Sequence, residues 1–375
     1  MSKDLAAHGG AKVSAAVFAL ALSLVFPAAK ADVTVAVVAS LSGAAAYQSV
    51  HGLEFAVDAI NAGGGVLGQK LKLAYFDDGC DAAQGEVAAR RAIQEHPALI
   101  IGHNCSAPSI SAAPLYARAG VVQISTQSTS LALTEMNIPS VFRLIGRDDR
   151  QGVAAAELVA KRWPRARLAV IDDGEVFGKG LAENVVQGLA AHGLRPQFRQ
   201  TYVGGASSYG DIVARLGRDK IELLYIAGYT EDIGLLLRQI RAAGISTQVL
   251  AGDPGGSDAV RLVAGTAVDG LLFSFPRDPL SYPEVPSLVA AAKAKGVQFD
   301  KFAVVNYAAL QVWQEAVKRS GSFEGVKVAE ELHRGRFGTV IGEVAFDAKG
   351  NVGAPQSDWV WYRWRGGKAV VDGPS

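Results

Sequence analysis

The stretch Ala98–Thr129, which is ALIIGHNCSAPSISAAPLYARAGVVQISTQST, decides the fold class of this chain. Two apolar runs within it, Ala98–Ile101 and Val121–Ile124, predict buried strands. The segment that begins at Pro108 and ends near Gly120 predicts a helix between them. Strand, helix and strand in this order are typical of a parallel sheet with a crossover helix, so the sequence predicts an α/β fold.

Each of the two predicted strands is followed by a turn rich in hydroxyl groups. Ser106 and Thr129 lie in these turns, at the carboxyl ends of the strands, where open α/β sheets bind their ligands. Their hydroxyls and the free backbone N–H groups beside them can bind an anionic group without Arg or Lys. Ser and Thr are equally ordinary as helix N-caps, so this pattern leaves both interpretations open.

The first residues have the pattern of a secretory signal peptide. A polar segment with two lysines precedes an apolar run from Val13 to Pro27, and Ala29–Ala31 offers a small-residue cleavage site. The run is shorter than the roughly 20 apolar residues that span a bilayer, and no Cys lies at the junction to carry a lipid. We therefore expect a cleaved leader of residues 1–31 and a soluble, periplasmic protein.

Composition and pattern indicate a two-lobed protein without a nucleic-acid or membrane-surface role. Loss of the leader removes three lysines and one aspartate, which changes the formal net charge from +1 to −1. Strand and helix patterns alternate before and after residue 148, which predicts two lobes with parallel sheets. The last segments, Glu343–Phe346 and Trp359–Trp364, instead predict the strands of a hairpin around a turn at Asp347–Gly350.

The strand ends of the second lobe carry aromatic rings and a carboxyl group. Phe177, Tyr229 and Asp253 each follow a predicted strand. If the two sets of strand ends face each other, they form a cleft, which is where ligand sites concentrate. Neutral donors on one wall and an acid on the other suit a zwitterion whose ammonium points toward Asp253. Core packing of the two rings and a turn or capping role for Asp253 are the alternatives.

The chain has two cysteines, Cys80 and Cys105, and each follows a predicted strand. In an exported protein an even number of cysteines favours a disulfide, although two buried thiols are an alternative. The chain has no His and Cys spacing typical of a metal site, and His51 and His103 are interpreted as surface or structural residues. No complete nucleotide-binding or hydrolase motif is present, so we expect neither an enzyme nor a cofactor.

Several motifs resemble those of the periplasmic leucine/isoleucine/valine-binding proteins of ABC transporters, over nearly the whole mature chain. Among them are INAGGGVLGQKL (Ile60–Leu71), YFDDGCD (Tyr75–Asp81), IGHNCS (Ile101–Ser106) and AGYTEDIGLLLRQIRAAG (Ala227–Gly244). The resemblance implies two Rossmann-like lobes joined by a three-crossing hinge, as in type I periplasmic binding proteins, and a disulfide between the two cysteines. The implied lobes are residues 32–147 with 277–354, and residues 148–276 with 355–375.

The resemblance also implies roles for individual residues. Ser106 and Thr129 would bind the ligand carboxylate with the backbone of Gln127, and Tyr229 and Asp253 would hold its ammonium. The residues that would shape the side-chain pocket are Tyr47, Phe177 and Phe302. The family has Glu at the position of Asp253 and Tyr at that of Phe177, and the turn before Tyr47 is shorter here.

These observations predict a monomer that binds an L-α-amino acid with an aliphatic or aromatic side chain and delivers it to a membrane permease. The alternative is a binder of the same fold for another small ligand, such as an aromatic acid, an amide or a small peptide. A sensor would need an attached DNA-binding or membrane segment, which this sequence lacks.

We expect the leader to be cleaved between Ala31 and Asp32, because a charged segment, an apolar segment and small residues occur there in the required order. N-terminal sequencing of the protein from a periplasmic extract should begin at Asp32. A mature chain that keeps its apolar run would contradict this prediction.

Overall fold

The structure, a computed structural model, describes residues 31–41 and 44–373. The predicted leader up to Lys30 lies outside the described residues, and so does the side chain of Tyr47. In the described part of the chain, no helix combines the length and the apolar character needed to cross a bilayer.

The first part of the chain forms a five-stranded sheet. Its strands are β1 (Val33–Ala39), β2 (Leu71–Asp77), β3 (Leu99–Gly102), β4 (Val122–Ser125) and β5 (Val141–Arg143). The helices along this part of the chain are α1 (Ala44–Ala62), α2 (Ala82–Gln94), α3 (Ser106–Arg118) and α4 (Ala132–Glu135). The spatial order is β2-β1-β3-β4-β5 and all neighbours are parallel, so every strand ends at the same edge.

A second sheet follows with the same alternation. Its parallel strands are β6 (Leu168–Asp172), β7 (Phe198–Thr201), β8 (Leu223–Ala227), β9 (Gln248–Ala251) and β10 (Leu272–Pro276). The helices of this part are α5 (Asp148–Arg162), α6 (Val176–Ala191), α7 (Gly210–Arg218), α8 (Thr230–Ala242) and α9 (Asp258–Ala264). Strands β6, β8, β9 and β10 are mostly apolar because they are buried on both faces, which is typical of parallel sheets. The edge strand β7 (FRQT) is only partly buried.

The chain then returns to the first sheet before it ends on the second. The returning elements are α10 (Val285–Ala294), α11 (Lys301–Ser320), α12 (Gly325–Arg334), β11 (Arg336–Thr339) and β12 (Gly342–Ala345). The last strands, β13 (Trp359–Arg365) and β14 (Lys368–Val371), complete a seven-stranded order β14-β13-β10-β9-β8-β6-β7. The chain thus crosses three times, after β5, after β10 and before β13.

Each sheet is covered by helices on both faces. One face of the first sheet packs on α1 and α11 around Trp313 and Phe142, and the other packs on α2 and α3 around Tyr116. The second sheet packs on α7 and α8 on one face and on α5 and α6 on the other. Burial of each large apolar side chain contributes on the order of 1.5–3 kcal/mol to folding. The predicted α/β fold with two sheets and three crossings is confirmed, whereas the lobe boundaries stay a prediction.

The predicted hairpin between Glu343–Phe346 and Trp359–Trp364 is wrong. The turn itself forms, since the Gly350 N–H donates to the Asp347 carbonyl over 3.0 Å, but β12 pairs with β11. β13 instead pairs antiparallel with β10 and β14. In this position β13 buries Tyr362 and Trp364 in the core of the second sheet. Pairing with β12 would not bury this apolar surface.

Cys80 and Cys105 form the predicted disulfide, with Cα atoms 5.4 Å apart. Their strands are not neighbours, however, because β1 lies between β2 and β3. The bridge therefore ties the turn after β2 to the start of α3 across the end of β1.

Replacing both cysteines by serine should lower the free energy of unfolding by about 3 kcal/mol, because the closed loop spans 25 positions. Urea unfolding of the variant and the wild type measures this difference. Alkylation of the native protein without reductant should add no label, and an unchanged unfolding midpoint in the variant would contradict the prediction.

Candidate functional site

The strand ends of both sheets border one cavity of about 500 Å³. The residues on the side of the first sheet include Ser40, Asn104, Ser106, Gln127 and the disulfide. Those on the side of the second sheet include Phe177, Tyr229 and Asp253, and the start of α11 contributes Asp300 and Phe302. Because the two walls come from different sheets, a ligand in this cavity contacts both halves of the molecule.

Six of the eight predicted ligand-binding residues line this cavity: Ser106, Gln127, Phe177, Tyr229, Asp253 and Phe302. Thr129 is buried but is not among the lining residues. The side chain of Tyr47 lies outside the described part of the chain.

The first wall offers neutral donors at the start of a helix. Ser106 is the first residue of α3, and its N-cap, Cys105, makes no side-chain capping hydrogen bond. Ser106 is 2% exposed, and its hydroxyl accepts from the Ser130 N–H over 3.4 Å. Asn104 Oδ1 accepts from the Ser40 N–H over 3.0 Å. The positive end of the helix dipole favours an anionic group at this wall.

A buried hydrogen-bond network holds the first wall in place. His103 Nδ1 lies 2.6 Å from Asp78 Oδ2, and its Nε2 lies 2.9 Å from the Tyr116 hydroxyl. The Ser125 hydroxyl donates to the His103 carbonyl over 2.9 Å. His103 is therefore a hydrogen-bonded structural residue, and it links the turn that carries Ser106 to the end of β4.

Thr129 lies behind the first wall and faces the crossing to the second sheet. Its carbonyl accepts from the Asp148 N–H over 3.1 Å. Its hydroxyl has no hydrogen-bond partner of ordinary geometry within the described residues, yet it lies close enough to the Asp148 carboxyl to lower the pKa of that group. Burial, followed by the charge of Asp253, has the larger effect and raises the pKa of Asp148.

Asp253 is the central acid of the second wall. It follows β9, begins the short 3-10 helix Asp253–Gly256 and is 4% exposed. Gln151 Nε2, in the first turns of α5, lies 3.2 Å from Asp253 Oδ1 and 2.9 Å from the Ser274 hydroxyl. Burial raises the pKa of Asp253 to about 7, although the hydrogen bond from Gln151 opposes this shift.

The aromatic residues of the site join its two walls. The rings of Phe177 and Tyr229 lie 5.3 Å apart between centroids, and Phe302 packs edge-on against Phe275 at 5.4 Å. Burial and then the charge of Asp173 raise the pKa of Tyr229, whereas a hydrogen bond with the Ser106 backbone lowers it. The Tyr229 hydroxyl therefore meets the first wall at the start of α3.

Further acids, which the sequence analysis did not assign to the site, also line the cavity. They are Asp173, Glu175, Glu231, Asp232 and Asp300. Burial raises the pKa of Asp173 to about 7. Among the described residues, no Lys, Arg or His lines the cavity. The signal for the first four acids was their position after predicted strands, whereas Asp300 precedes a helix. An acid at the start of a helix is also ordinary capping chemistry.

Two α/β lobes with a ligand-sized cavity between their strand ends define a two-lobed solute-binding protein. Residues 32–369 match the family model described as periplasmic binding protein, and the chain belongs to this family. The family resemblance of the sequence motifs is thereby confirmed, since relatives of the chain are named as binding proteins for leucine, isoleucine and valine.

Individual relatives agree with this assignment. The chain is 33% identical to a Leu/Ile/Val/Thr-binding protein of Salmonella typhimurium over 337 residues, which cover 89% of this chain and 92% of the relative. A leucine-binding protein from Thermotoga maritima superimposes with a TM-score of 0.82 at 26% identity, covering 91% of this chain and 98% of its own. A solute-binding protein from R. palustris in complex with benzoate shares the fold, with a TM-score of 0.81 at 19% identity and coverage of 91% and 96%.

The raised pKa values of Asp173 and Asp253, about 7 against an ordinary 3.8, predict a pH-dependent stability of the ligand-free protein. The folded chain holds protons that the unfolded chain has already released, so the contribution of these groups is fully present below 3.8 and is lost as pH rises through 7. We expect these groups to make the melting temperature fall between about pH 4 and pH 7 and to add little change above that range.

Asp253→Asn should reduce this fall, because an amide keeps the shape of the carboxyl and cannot ionise. Calorimetric melting of both proteins across the pH series checks this. Equal slopes in the variant and the wild type would mean that Asp253 does not titrate in this range.

Proposed function

We propose that this protein binds an L-α-amino acid with an aliphatic or aromatic side chain in the cavity and delivers it to the permease of an ABC transporter. The observation that carries this proposal is the opposition of neutral donors at the start of α3 to the buried carboxyl of Asp253. A zwitterion is the ligand that matches both walls at once.

The ligand carboxylate would bind at the first wall. The hydroxyl of Ser106 and the N–H groups at the start of α3 can donate to it, and Gln127 lies beside them in the lining of the cavity. Helix N-termini stabilise anions in this way without a cationic side chain. A carboxylate-binding role for Thr129 stays a prediction, because its hydroxyl points toward Asp148 rather than lining the cavity.

The ligand ammonium would bind at Asp253, with the Tyr229 hydroxyl as a neutral acceptor. A buried carboxyl without a cation is costly, and a cation brought by the ligand removes that cost and lowers the pKa of the group. Asp is one methylene shorter than Glu, so its carboxylate reaches about 1.5 Å less far. Either the lobes close further around the ligand, a water fills the gap, or the favoured ligand differs from leucine.

The rings of Phe177, Tyr229 and Phe302 would receive the side chain of the ligand. A cavity of about 500 Å³ is within the range of small-molecule sites. Aromatic walls favour aliphatic and aromatic side chains, because contact removes apolar surface of both partners from water. The relatives named for leucine, isoleucine and valine support this class of ligand.

An aromatic acid is the second candidate, since a neighbour of the same fold holds benzoate. The charge of this cavity disfavours it. Six carboxyl groups and, within the described residues, no cationic side chain line the cavity, so a ligand with a carboxylate and no ammonium would add negative charge to an already acidic wall.

The proposed working cycle places the protein in the periplasm as a monomer. Each wall holds half of the site, so a ligand contacts both only when the lobes are closed. The ligand would therefore shift the population toward the closed form, and that form would be the one that the permease recognises.

Asp253→Ala should weaken binding of the best amino acid by several kcal/mol, on the scale of ~3–5 for a broken buried pair. Calorimetry should compare leucine, isoleucine, valine and phenylalanine with the deaminated analogue of leucine. The matched control is Asp211→Ala, an exposed acid of α7 in the same lobe, which should bind as the wild type does. Full affinity in Asp253→Ala, or a wild-type preference for the deaminated analogue, would refute the assignment.

A further inference from the structure

Lys301 is a buried cation that the proposed site does not use. It is the first residue of α11, and its ammonium has no hydrogen-bond partner within the described residues. The ammonium instead lies over three aromatic rings, 5.3 Å from the centroid of Phe273 and 5.0 Å from those of Phe275 and Tyr362. An ammonium within about 6 Å of a ring centroid is attracted by the ring quadrupole.

The three rings form a cage because of the register of the second sheet. Phe273 and Phe275 are two positions apart on β10, so they lie on the same face. Tyr362 on β13 is directly opposite Phe273, and their rings stack at 5.5 Å. The Tyr362 hydroxyl is occupied elsewhere, since it accepts from the Asp278 N–H over 2.8 Å, and this contact fixes the third wall of the cage.

The helix that carries Lys301 belongs to the opposite half of the molecule. The buried residues of α11, from Ala303 to Val317, are part of the core of the first sheet, and α11 packs against α1. Lys301 therefore joins a helix of the first lobe to the sheet of the second. Its two neighbours in sequence, Asp300 and Phe302, both line the ligand cavity.

The charged groups around the cage do not replace the rings as partners of Lys301. The carboxyls of Asp278, Asp258 and Asp300 favour its charged form, whereas burial has the larger effect and lowers its pKa. Asp300 is held by its own role as N-cap of α11, where it accepts from the Ala303 N–H over 2.7 Å.

We propose that Lys301 clamps the start of α11 to the aromatic cage of Phe273, Phe275 and Tyr362, and so positions Asp300 and Phe302 against the ligand. Lys301 is a positioning residue that sets ligand affinity without touching the ligand. The effect on affinity rests on the proposed function, whereas the contact of Lys301 with the three rings is a feature of the structure itself.

The test compares Lys301→Met with Lys301→Arg in the full mature chain. Met keeps the apolar stem and removes the charge, whereas Arg keeps a cation that stacks on aromatic rings. Calorimetry with leucine, isoleucine, valine and phenylalanine should show about tenfold weaker binding for Lys301→Met and near-wild-type binding for Lys301→Arg. The melting temperature of Lys301→Met should be unchanged or higher, because an ammonium no longer has to be buried.

Small-angle scattering without ligand provides a readout that does not depend on the proposed function. Lys301→Met should have a larger radius of gyration than the wild type and Lys301→Arg, because the two halves are no longer clamped. If the wild type binds none of the amino acids, the proposed function fails. Scattering alone then tests whether Lys301 holds the two halves together. The proposed clamp would be overturned by wild-type affinity in Lys301→Met or by an equal loss of affinity in both variants. Where no ligand binds, an unchanged radius of gyration in Lys301→Met would overturn it.

Discussion

The burial of the Asp253 carboxyl, with no cationic partner in the described part of the chain, is the constraint on which the arrangement of the cleft depends. Gln151 holds this carboxyl and the Ser274 hydroxyl with the same amide nitrogen, so α5, β10 and the turn after β9 meet at one point. Because all three elements belong to the second half of the molecule, these bonds fix the position of the acid within that half. The fold thus tolerates a destabilised acid at the place where a ligand can stabilise it, a trade-off that is common at functional sites.

Arg143 fixes the other side of the same crossing. Its guanidinium is fully buried at the end of β5 and donates to the carbonyls of Ser128 and Ser130 over 3.1 and 2.8 Å, and to the Thr134 hydroxyl over 2.7 Å. These bonds hold the turn after β4, which carries Gln127. Burial lowers the pKa of Arg143 to about 10, and the charge of Asp148 opposes this shift. At the first crossing, a buried guanidinium of one lobe therefore lies near the acid that begins the helix of the other.

The sequence predicts where the strands and helices lie better than it predicts which strands pair with each other. The strands predicted at Ala98–Ile101 and Val121–Ile124 are β3 and β4, and each lies within one residue of the prediction. Continuous apolar runs that a polar turn follows identify strands buried on both faces. The pairing of β13 was not predicted correctly. The alternation of apolar and polar residues along a strand indicates which face is buried but not which strand lies beside it. In the site, topology alone brought Ser106 and Asp253 to one cavity. Thr129 could not be placed, because the direction of a side chain within a turn depends on contacts such as that with Asp148.

The charge of the cavity limits the ligand more strongly than the fold does. A binder of benzoate and a binder of leucine both share this architecture, so the fold is compatible with ligands of different net charge, and function has to be argued from the site. In this chain the acids of the second wall are buried enough to raise the pKa of both Asp173 and Asp253. Each of them becomes easier to ionise when a cationic group enters, whereas an anion would raise these pKa values further. Under the proposed function, the second wall would therefore select ligands by the presence of an ammonium before any contact with the side chain discriminates among amino acids.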